Sequence, residues 1–363
     1  MKILQVVGAR PNFMKIAPVL QAIARRGFAE QKLVHTGQHY DAAMSDVFFT
    51  DLALPKPDVF LGVGSGSHAE QTAAVLVATE KLFQIERPDL VVVAGDVNST
   101  LACALAATKL DIPVAHVEAG LRSGDRRMPE EINRILTDQI SEILLTPSAD
   151  GDAHLAREGV PAAWVHLVGN VMIDSLLAHL PAARACGVLA RLGVSAKGYA
   201  LVTLHRPSNV DDAAQLARLL GAIGELSREQ PVLFPVHPRT RKRLAEFGIA
   251  LPQGLRLIDP LGYIEFLGLT DGAALVLTDS GGIQEETTVL GVPCLTLREN
   301  TERPVTVAVG TNTLVGLAPK AILEEGRRAL RGEGKRGTIP PLWDGHAAER
   351  IAAVIEGWAA ARS

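Results

Sequence analysis

Short apolar runs alternate with longer stretches of helical spacing along the whole chain. In the first half, apolar runs predict strands at 2–7, 31–36, 90–95, 112–117, 142–146 and 164–168. The same rhythm restarts further on, with strands predicted at 199–203, 231–236, 255–258, 273–278 and 292–296. Alanine-rich stretches such as 68–86 and 99–109 predict helices between the strands. This alternation predicts βαβ units with parallel sheets, and the two series predict two Rossmann-like halves of an α/β protein.

The segment 170–198 separates the two series. It contains one predicted helix, at 170–180, and then no strong strand pattern. We therefore predict an N-terminal domain at 1–172 and a C-terminal domain at 173–345, followed by a helix in 346–363 that either domain can hold. Open α/β sheets bind ligands at the carboxyl ends of their strands, so two facing sheets predict a site in the cleft between the domains.

Composition supports this reading. A chain of 363 residues exceeds what one hydrophobic core usually serves. Hydrophobic residues make up 47% but aromatic residues only 4%, so aliphatic side chains must build the cores. The net charge of −4 gives no support for a nucleic-acid partner.

The location of the protein is predicted from thiols and hydropathy. Cys103, Cys186 and Cys294 show no short spacing and are typical of reduced, mostly buried thiols. The first predicted strand begins next to Met1, so we expect no signal peptide. No apolar run approaches the roughly 20 residues that span a bilayer, so no membrane partner is expected. We predict a cytoplasmic protein.

Residues 279–286 carry the clearest chemical signal. The run 273–278 predicts a buried strand, and Ser280, Gly281 and Gly282 then form a turn of small residues that opens a helix. A helix N-terminus favours an anion, and small side chains let it approach. Glu285 or Glu286, one turn in, would suit a sugar diol. We expect a nucleotide held by pyrophosphate and ribose here; the alternative is an ordinary strand–turn–helix junction.

The first strand ends in a different kind of turn. Gly8 is followed by Arg10 and, along the next helix, by Lys15. The spacing of a dinucleotide fingerprint is missing. Two cations at a strand end suit a diphosphate or a substrate oxygen, although both can equally be surface charges.

Three acidic residues follow neighbouring elements of the first half. Asp96 ends the strand 90–95, Glu118 follows the strand 112–117, and Glu130 begins a helix. Asp96 alone can be a helix cap, and Glu130 favours the helix dipole whatever else it does. Clustered carboxylates repel, so we expect at least one raised pKa and a capacity for proton transfer. Removal and return of a carbon-bound proton requires such groups.

Two strands of the second half end in a histidine near an arginine. His205 precedes Arg206, and His237 lies two residues before Arg239. Together they predict a cationic rim for a diphosphate. Neither pair has the spacing of metal ligands, so no metal is expected. Arg303 lies in the polar turn 298–304, which either closes over the ligand or is a charged surface loop.

Taken together, these residues resemble the non-hydrolysing UDP-N-acetylglucosamine 2-epimerases. The matching segments follow the family order and cover nearly the whole chain. They are 8–11 with Lys15, 36–39, 95–96, 116–122, 129–134, 169–170, 205–206, 235–238, 278–286, 301–304, 344–345 and 350–351.

The resemblance implies a glycosyltransferase-B type of fold whose last helix crosses back to the first domain. It implies inversion at C2 of the aminosugar without NAD, metal or other cofactor, through elimination of UDP to 2-acetamidoglucal and re-addition. It also implies a homodimer and a role in polysaccharide biosynthesis for the cell envelope. The catalytic residues it implies are Asp96, Glu118, Glu130, His205 and Lys15. The binding residues are Arg10, Arg206, His237, Ser280, Gly281, Gly282, Glu286 and Arg303.

The chain departs from the family pattern in three places. It reads Ala-Arg-Pro-Asn at 9–12 where many members have Thr-Arg-Pro-Glu, and Pro207-Ser208 where several have Arg-Glu. Some bacterial members bind a second substrate molecule through an arginine, and the matching region 70–74 has none, so activation by substrate is not expected.

The sequence is also compatible with other functions. The departures allow a related UDP-sugar, such as a 2,3-diacetamido uronate. The predicted UDP-binding residues alone would also suit a UDP-sugar glycosyltransferase, a hydrolysing relative or a UDP-sugar sensor. The three carboxylates favour the epimerase, because glycosyl transfer needs no proton abstraction from carbon.

Overall fold

The structure is a computed structural model that describes residues 1–38 and 56–362, apart from the side chain of Arg10. The chain divides into two compact units. Unit 1 comprises Met1–Ala178 and Pro341–Ser363, and unit 2 comprises His179–Pro340. His39, which belongs to one of the family-like segments, lies outside the described residues.

Each unit contains one parallel sheet. In unit 1 the spatial order is β3-β2-β1-β4-β5-β6-β7. Its strands are β1 Lys2–Val7, β2 Glu30–His35, β3 Val59–Phe60, β4 Leu90–Ala94, β5 Val114–Val117, β6 Ile143–Thr146 and β7 Val165–Leu167. In unit 2 the order is β10-β9-β8-β11-β12-β13. Its strands are β8 Ala200–Thr203, β9 Val232–Pro235, β10 Leu255–Ile258, β11 Leu275–Thr278, β12 Cys294–Thr296 and β13 Asn312–Leu314.

Helices connect these strands, and the last one returns to unit 1. The first six are α1 Arg10–Arg26, α2 His68–Glu86, α3 Asn98–Lys109, α4 Pro129–Ile140, α5 Ala149–Arg157 and α6 Val171–Ala185. Those that follow up to residue 340 are α7 Val188–Leu192, α8 Pro207–Val210, α9 Ala213–Leu226, α10 Pro238–Glu246, α11 Tyr263–Gly272, α12 Gly281–Leu290, α13 Pro304–Ala308 and α14 Pro319–Arg328. Helix α15 is Ala347–Ala360. Short 3₁₀ and π segments lie at Ala162–Trp164 and Ala329–Glu333.

The core of unit 1 explains its alanine-rich sequence. Val91 and Val93 of β4 are fully buried and pack with Ala102 and Ala106 of α3 and with Phe83 of α2. Because the side chains of α3 are small, the helix packs closely against the sheet. This close packing fixes the positions of the carboxyl ends of β4 and β5.

The core of unit 2 has two layers against its sheet. On one face, Val202 and Phe234 pack with leucines of α9 such as Leu216 and Leu219. A second cluster contains Leu201 and Val276 with Leu269 of α11. The strands are buried on both faces, as parallel strands usually are.

The sheet prediction is confirmed, but two edge strands were not predicted. Strand β3 has only two residues and pairs with the end of β2. Strand β13 begins with Asn312 and Thr313, so it carries no apolar run. It is held instead by its ladder with β12 and by a hydrogen bond of 2.7 Å from Thr296 Oγ1 to Asn312 Oδ1. Among the described residues, no helix is both long and apolar enough to cross a membrane.

Candidate active site

The turn after β1 is built by Asn12 rather than by glycine alone. The Asn12 side-chain oxygen accepts hydrogen bonds from the main-chain N–H groups of Gly8 and Ala9, at 3.1 and 2.9 Å. Its amide nitrogen donates to the carbonyl oxygen of Ala94, at 2.8 Å. Asn12 therefore joins the ends of β1 and β4, and α1 begins at a defined place beside β4. This is one of the positions where the chain departs from the family pattern.

Lys15 and Glu118 form a buried ion pair at the carboxyl ends of these strands. Lys15 Nζ donates to Glu118 Oε2, and the two side chains are 7% and 4% exposed. Glu118 has a φ of 73°, in the left-handed region that residues other than glycine rarely adopt. Backbone strain of this kind is concentrated at functional sites. The structure thus brings together two of the predicted catalytic residues.

Asp96 is joined to α4 by an arginine that the sequence analysis did not single out. Arg134 donates to Asp96 Oδ2 through one terminal nitrogen and to Glu131 Oε2 through the other. Helix α3 begins at Asn98 with no side-chain cap, so Asp96 is not the helix cap considered above. The Asp96 side chain stays 28% exposed, which leaves it accessible to a ligand.

Glu130 and Glu131 have different surroundings although they are neighbours. Glu131 is buried and accepts hydrogen bonds from the N–H groups of Ser123 and Gly124, at 3.0 and 2.8 Å. Burial opposes its ionisation, but these N–H groups and Arg134 hold the pKa of Glu131 below its usual range. Glu131 therefore fixes the loop after Glu118. Glu130 is half-buried and forms no hydrogen bond or ion pair with any residue that the structure describes.

The cations limit the repulsion expected among the three acidic residues. Asp96 faces Arg134, and Glu118 faces Lys15. The sequence did not indicate which cation pairs with which carboxylate, because Lys15 lies 103 residues from Glu118 and Arg134 lies 38 residues from Asp96 along the chain. Arg10 begins α1, but its side chain lies outside the described part of the structure.

In unit 2, Asp279 organises the end of β8. Its carboxylate is fully buried and accepts hydrogen bonds from the main-chain N–H groups of His205 and Arg206, both at 3.0 Å, and from Asn209 Nδ2 at 3.1 Å. The ring nitrogen Nδ1 of His205 lies 2.8 Å from Asp279 Oδ1. Burial alone would raise the pKa of Asp279, but His205 and the N–H of Arg206 hold it below its usual range.

This pairing fixes the orientation of the His205 ring. With Nδ1 facing a carboxylate, the other ring nitrogen is the one left to meet a ligand. The His205 side chain is 48% exposed, so that nitrogen is accessible. Asp279 was part of the predicted turn but had no role assigned to it.

A buried charge cluster lies beside the start of α12. Glu302 contacts Arg303 at 2.7 Å, Arg298 at 2.8 Å and Arg206 at 3.4 Å. Arg303 also reaches Glu285 at 2.9 Å. Despite its burial, the three guanidinium groups hold the pKa of Glu302 well below its usual range. Arg206 and Arg303, predicted to bind substrate, are thus tied together in one group of three guanidiniums and two carboxylates.

The two glycines at the start of α12 have different surroundings. A Cβ on Gly281 would lie 2.5 Å from Glu302 Oε1 and 2.6 Å from Arg303, so this glycine is required by the buried charge cluster. A Cβ on Gly282 would meet no atom within 4 Å. Ser280 is half-buried and offers no side-chain cap to the helix. The Ser280 N–H donates to Thr278 Oγ1 at 3.0 Å, so the N–H groups of Gly281 and Gly282 and the open side of Gly282 are the part available to an anion.

Glu286 is buried one turn further along α12. Tyr263 donates its hydroxyl to Glu286 Oε1 at 3.4 Å. Burial and the neighbouring charge of Glu285 raise the pKa of Glu286 to about 7. A buried carboxyl group is stabilised by a hydrogen-bond donor, and a sugar hydroxyl is such a donor.

His237 lies at the start of α10, as the strand-end pattern predicted. Its Nδ1 accepts a hydrogen bond of 3.2 Å from the main-chain N–H of Arg239. The Arg239 side chain forms an ion pair with Asp211 rather than extending a cationic rim. Thr240 Oγ1 donates to the carbonyl oxygen of Leu204 at 3.0 Å, which places the start of α10 beside the residue that precedes His205.

Known proteins resemble this chain both in sequence and in structure. The sequence model of the family described as UDP-N-acetylglucosamine 2-epimerase matches residues 21–356. The UDP-N-acetylglucosamine 2-epimerase of Methanococcus maripaludis is 43% identical, over 97% of this chain and 97% of that protein. The UDP-2,3-diacetamido-2,3-dideoxy-D-glucuronate 2-epimerase of Pseudomonas aeruginosa is 46% identical, over 91% of this chain and 92% of that protein.

A solved structure extends the likeness to the fold. The crystal structure of the Methanocaldococcus jannaschii UDP-GlcNAc 2-epimerase in complex with UDP-GlcNAc and UDP matches with a TM-score of 0.91 at 43% identity. The match covers 98% of this chain and 100% of that one. The prediction of two Rossmann-like α/β halves is confirmed.

Proposed function

Because the chain belongs to the UDP-N-acetylglucosamine 2-epimerase family, we propose that it interconverts UDP-N-acetylglucosamine and UDP-N-acetylmannosamine by inverting C2. Family membership confirms the resemblance drawn from the sequence and the prediction of an isomerase. The observation that best supports the proposed chemistry is the buried Lys15–Glu118 pair, with Asp96 just after β4 and Glu130 at the start of α4.

The reaction is proposed to proceed by elimination and re-addition. A carboxylate removes the C2 proton, and the C–H electron pair forms the C1=C2 double bond. The C1–O bond breaks at the same time, and UDP leaves with its electron pair. A phosphate oxygen of UDP then adds to C1 of the 2-acetamidoglucal, and C2 takes a proton on its other face.

Each cluster has one part in this scheme. We assign the proton transfers to Asp96, Glu118 and Glu130, with Lys15 supporting the charge on Glu118. We assign the UDP to unit 2, where the turn at Ser280 and the N–H groups of Gly281 and Gly282 receive the diphosphate and Glu286 receives the ribose hydroxyls. His205 and Arg206 support the leaving phosphate, and the remaining cations, Arg10, His237 and Arg303, complete its surroundings.

The test is the appearance of the C2 epimer. UDP-N-acetylglucosamine is incubated with the protein, and UDP-N-acetylmannosamine is followed by ¹H NMR. We expect an equilibrium mixture with the wild-type protein and with the control Glu80→Gln, which alters an exposed glutamate of α2. Glu118→Gln should abolish turnover and retain UDP binding. Release of UDP with free aminosugar would indicate a hydrolase instead, and unchanged substrate would refute the proposal.

A second substrate is favoured by a specific observation. The Pseudomonas aeruginosa relative at 46% identity is named for a 2,3-diacetamido uronate. The measurement that decides is kcat/KM for each UDP-sugar with the same enzyme preparation. A higher value for the diacetamido uronate would make that sugar the preferred substrate while leaving the C2 chemistry unchanged.

We also propose that the enzyme works as a homodimer in the cytoplasm. The support is the family resemblance and the predicted reduced state of the three cysteines. Sedimentation velocity tests the dimer, which should have twice the chain mass of 38.6 kDa. A single species at the chain mass would refute it.

A further inference from the structure

His116 is a fully buried histidine that the proposed chemistry does not use. It lies within β5, two residues before Glu118. Its ring nitrogen Nδ1 lies 2.6 Å from Asp138 Oδ1, and Nε2 lies 2.8 Å from the carbonyl oxygen of Gly95. Both side chains, His116 and Asp138, are 0% exposed.

The two partners constrain where the ring carries its protons. A carbonyl oxygen can only accept, so Nε2 must donate to Gly95. Asp138 also receives the main-chain N–H of Gly120 at 3.1 Å and lies 2.7 Å from Arg122. The Arg122 guanidinium and the N–H of Gly120 stabilise Asp138 as a carboxylate, which can only accept, so it accepts from Nδ1 as well. Both ring nitrogens are therefore donors.

The pair contacts both acidic turns of unit 1. The Gly95 carbonyl belongs to the peptide bond that leads into Asp96. Gly95 has a φ of 69°, and a Cβ there would lie 2.8 Å from Lys15 Nζ and 3.6 Å from Glu118 Oε2. On the other side, Asp138 holds the N–H of Gly120, two residues after Glu118. One histidine–aspartate pair thus links the backbone before Asp96 to the backbone after Glu118.

We propose that His116 is held as an imidazolium ion by Asp138 and acts as a positioning residue that fixes Asp96 and Glu118 relative to each other. Its place in catalysis rests on the proposed epimerase function, but its protonation state does not. The charged groups of this network are Asp138 on α4, Arg122 on the loop after β5, and Glu158, which binds Arg122 through both oxygens at 2.8 and 2.6 Å. Lys15 and Glu118 lie on the far side of Gly95.

The protonation state is measured on the wild-type protein. The ring nitrogens of ¹⁵N-histidine-labelled protein are observed by NMR, with His116 assigned through the backbone resonances of β5. We expect both nitrogens of His116 to show the shift of a protonated nitrogen at neutral pH, because each faces an oxygen that accepts a hydrogen bond. A shift typical of an unprotonated nitrogen at Nδ1 at neutral pH would overturn the assignment.

The positioning role is measured with two matched variants. The amide nitrogen of a glutamine reaches the place of Nε2, so His116→Gln retains the bond to Gly95 and loses the one to Asp138. His116→Asn places its amide near Nδ1 and does the reverse. We expect His116→Asn to lose about 100-fold in kcat and His116→Gln about tenfold, with KM within about threefold of wild type in both, because small displacements of reacting groups cost rate more than binding.

The outcomes separate this inference from the proposed function. Equal losses of kcat in both variants would overturn the positioning role, since a purely structural histidine would affect both alike. If wild-type protein shows no epimerase activity, the proposed function fails, and the NMR result on His116 still stands or falls by itself. If neither variant folds, the wild-type nitrogen shifts decide the charge state.

Discussion

Replacement of Asp279 by asparagine tests how His205 is oriented. The variant keeps the shape of the side chain but exchanges one oxygen for an NH₂ group. Three donors converge on Oδ2, from His205, Arg206 and Asn209 at 3.0, 3.0 and 3.1 Å, so the amide oxygen should take that place. The NH₂ group then faces His205 Nδ1, which lay 2.8 Å from Oδ1. Nδ1 must become an acceptor, and the ring proton moves to Nε2.

The contacts set the size of the effect. A hydrogen bond to a charged group is worth about 1.5–3 kcal/mol. One such contact is replaced by a neutral hydrogen bond and three are weakened, so we expect the free energy of unfolding to fall by about 2–4 kcal/mol. With Nδ1 accepting from the amide, no carboxylate faces the His205 ring to stabilise positive charge on it, which weakens its support of the leaving phosphate. The analogous change in a Ser-His-Asp triad lowers kcat by about 10⁴. Because His205 supports charge rather than forming a bond, we expect a loss of about 10²–10³.

The assay measures kcat and KM for the UDP-sugar together with denaturant unfolding. Asn209→Ala is the matched control, since it removes one donor to the same carboxylate, together with a hydrogen bond to the Leu297 carbonyl, and neither bond involves the His205 ring. It should lower stability by about 1–2 kcal/mol and leave kcat within about threefold of wild type. Full activity in a folded Asp279→Asn enzyme would refute the argument that the tautomer of His205 matters.

Three further predictions concern the other parts of the site. Gly282→Ala should retain stability, since its Cβ meets no atom within 4 Å, but it should weaken UDP binding, measured by calorimetry, at least tenfold. Gly281→Ala should instead lower the melting temperature. Unchanged UDP binding in Gly282→Ala would place the phosphate elsewhere. The pKa of Glu286 is raised from 4.5 to about 7 in the folded state, so the folded protein binds more protons than the unfolded chain between pH 4.5 and pH 7. The free energy of unfolding of the wild-type protein should therefore fall by about 3 kcal/mol as the pH rises through this range. Glu286→Gln should lack this fall in urea unfolding at pH 5 and pH 8, and a parallel pH dependence in both proteins would contradict it. Glu118 and Glu130 are expected to serve opposite faces of C2. In D₂O, Glu118→Gln and Glu130→Gln should therefore each exchange the C2 proton of one epimer only, and the two variants should differ in which epimer that is. Loss of exchange from both epimers in both variants would contradict this division.

Motifs placed the candidate residues at the ends of strands but did not identify their partners. The strand-end pattern placed Asp96 and Glu118 at the carboxyl ends of β4 and β5, because apolar runs in parallel sheets end at a common edge. It did not assign Arg134 to Asp96, since the two are 38 residues apart and only the packing of α4 brings them together. The pattern therefore suggested carboxylates in mutual repulsion, where the structure has two of them paired with cations.

The same limit applies in unit 2. His205 and Asp279 lie 74 residues apart, and they meet because β8 and β11 are neighbours in the sheet. Strand order is a property of the whole sheet, and no local motif contains it. Gly281 shows a second limit: the sequence marked it for phosphate approach, while the structure shows that its missing Cβ makes room for Glu302 and Arg303. Both readings fit a glycine, so the residue type alone does not separate them.

Exchange of the C2 proton with solvent tests the proposed elimination and re-addition directly. UDP-N-acetylglucosamine is incubated with the wild-type enzyme in D₂O, and the C2 position is followed by NMR in both epimers. We expect deuterium at C2 of the UDP-N-acetylmannosamine that forms, and later in the recovered substrate, with the sugar still attached to UDP. Formation of the epimer with its C2 proton retained, or absence of any exchange at C2, would contradict it.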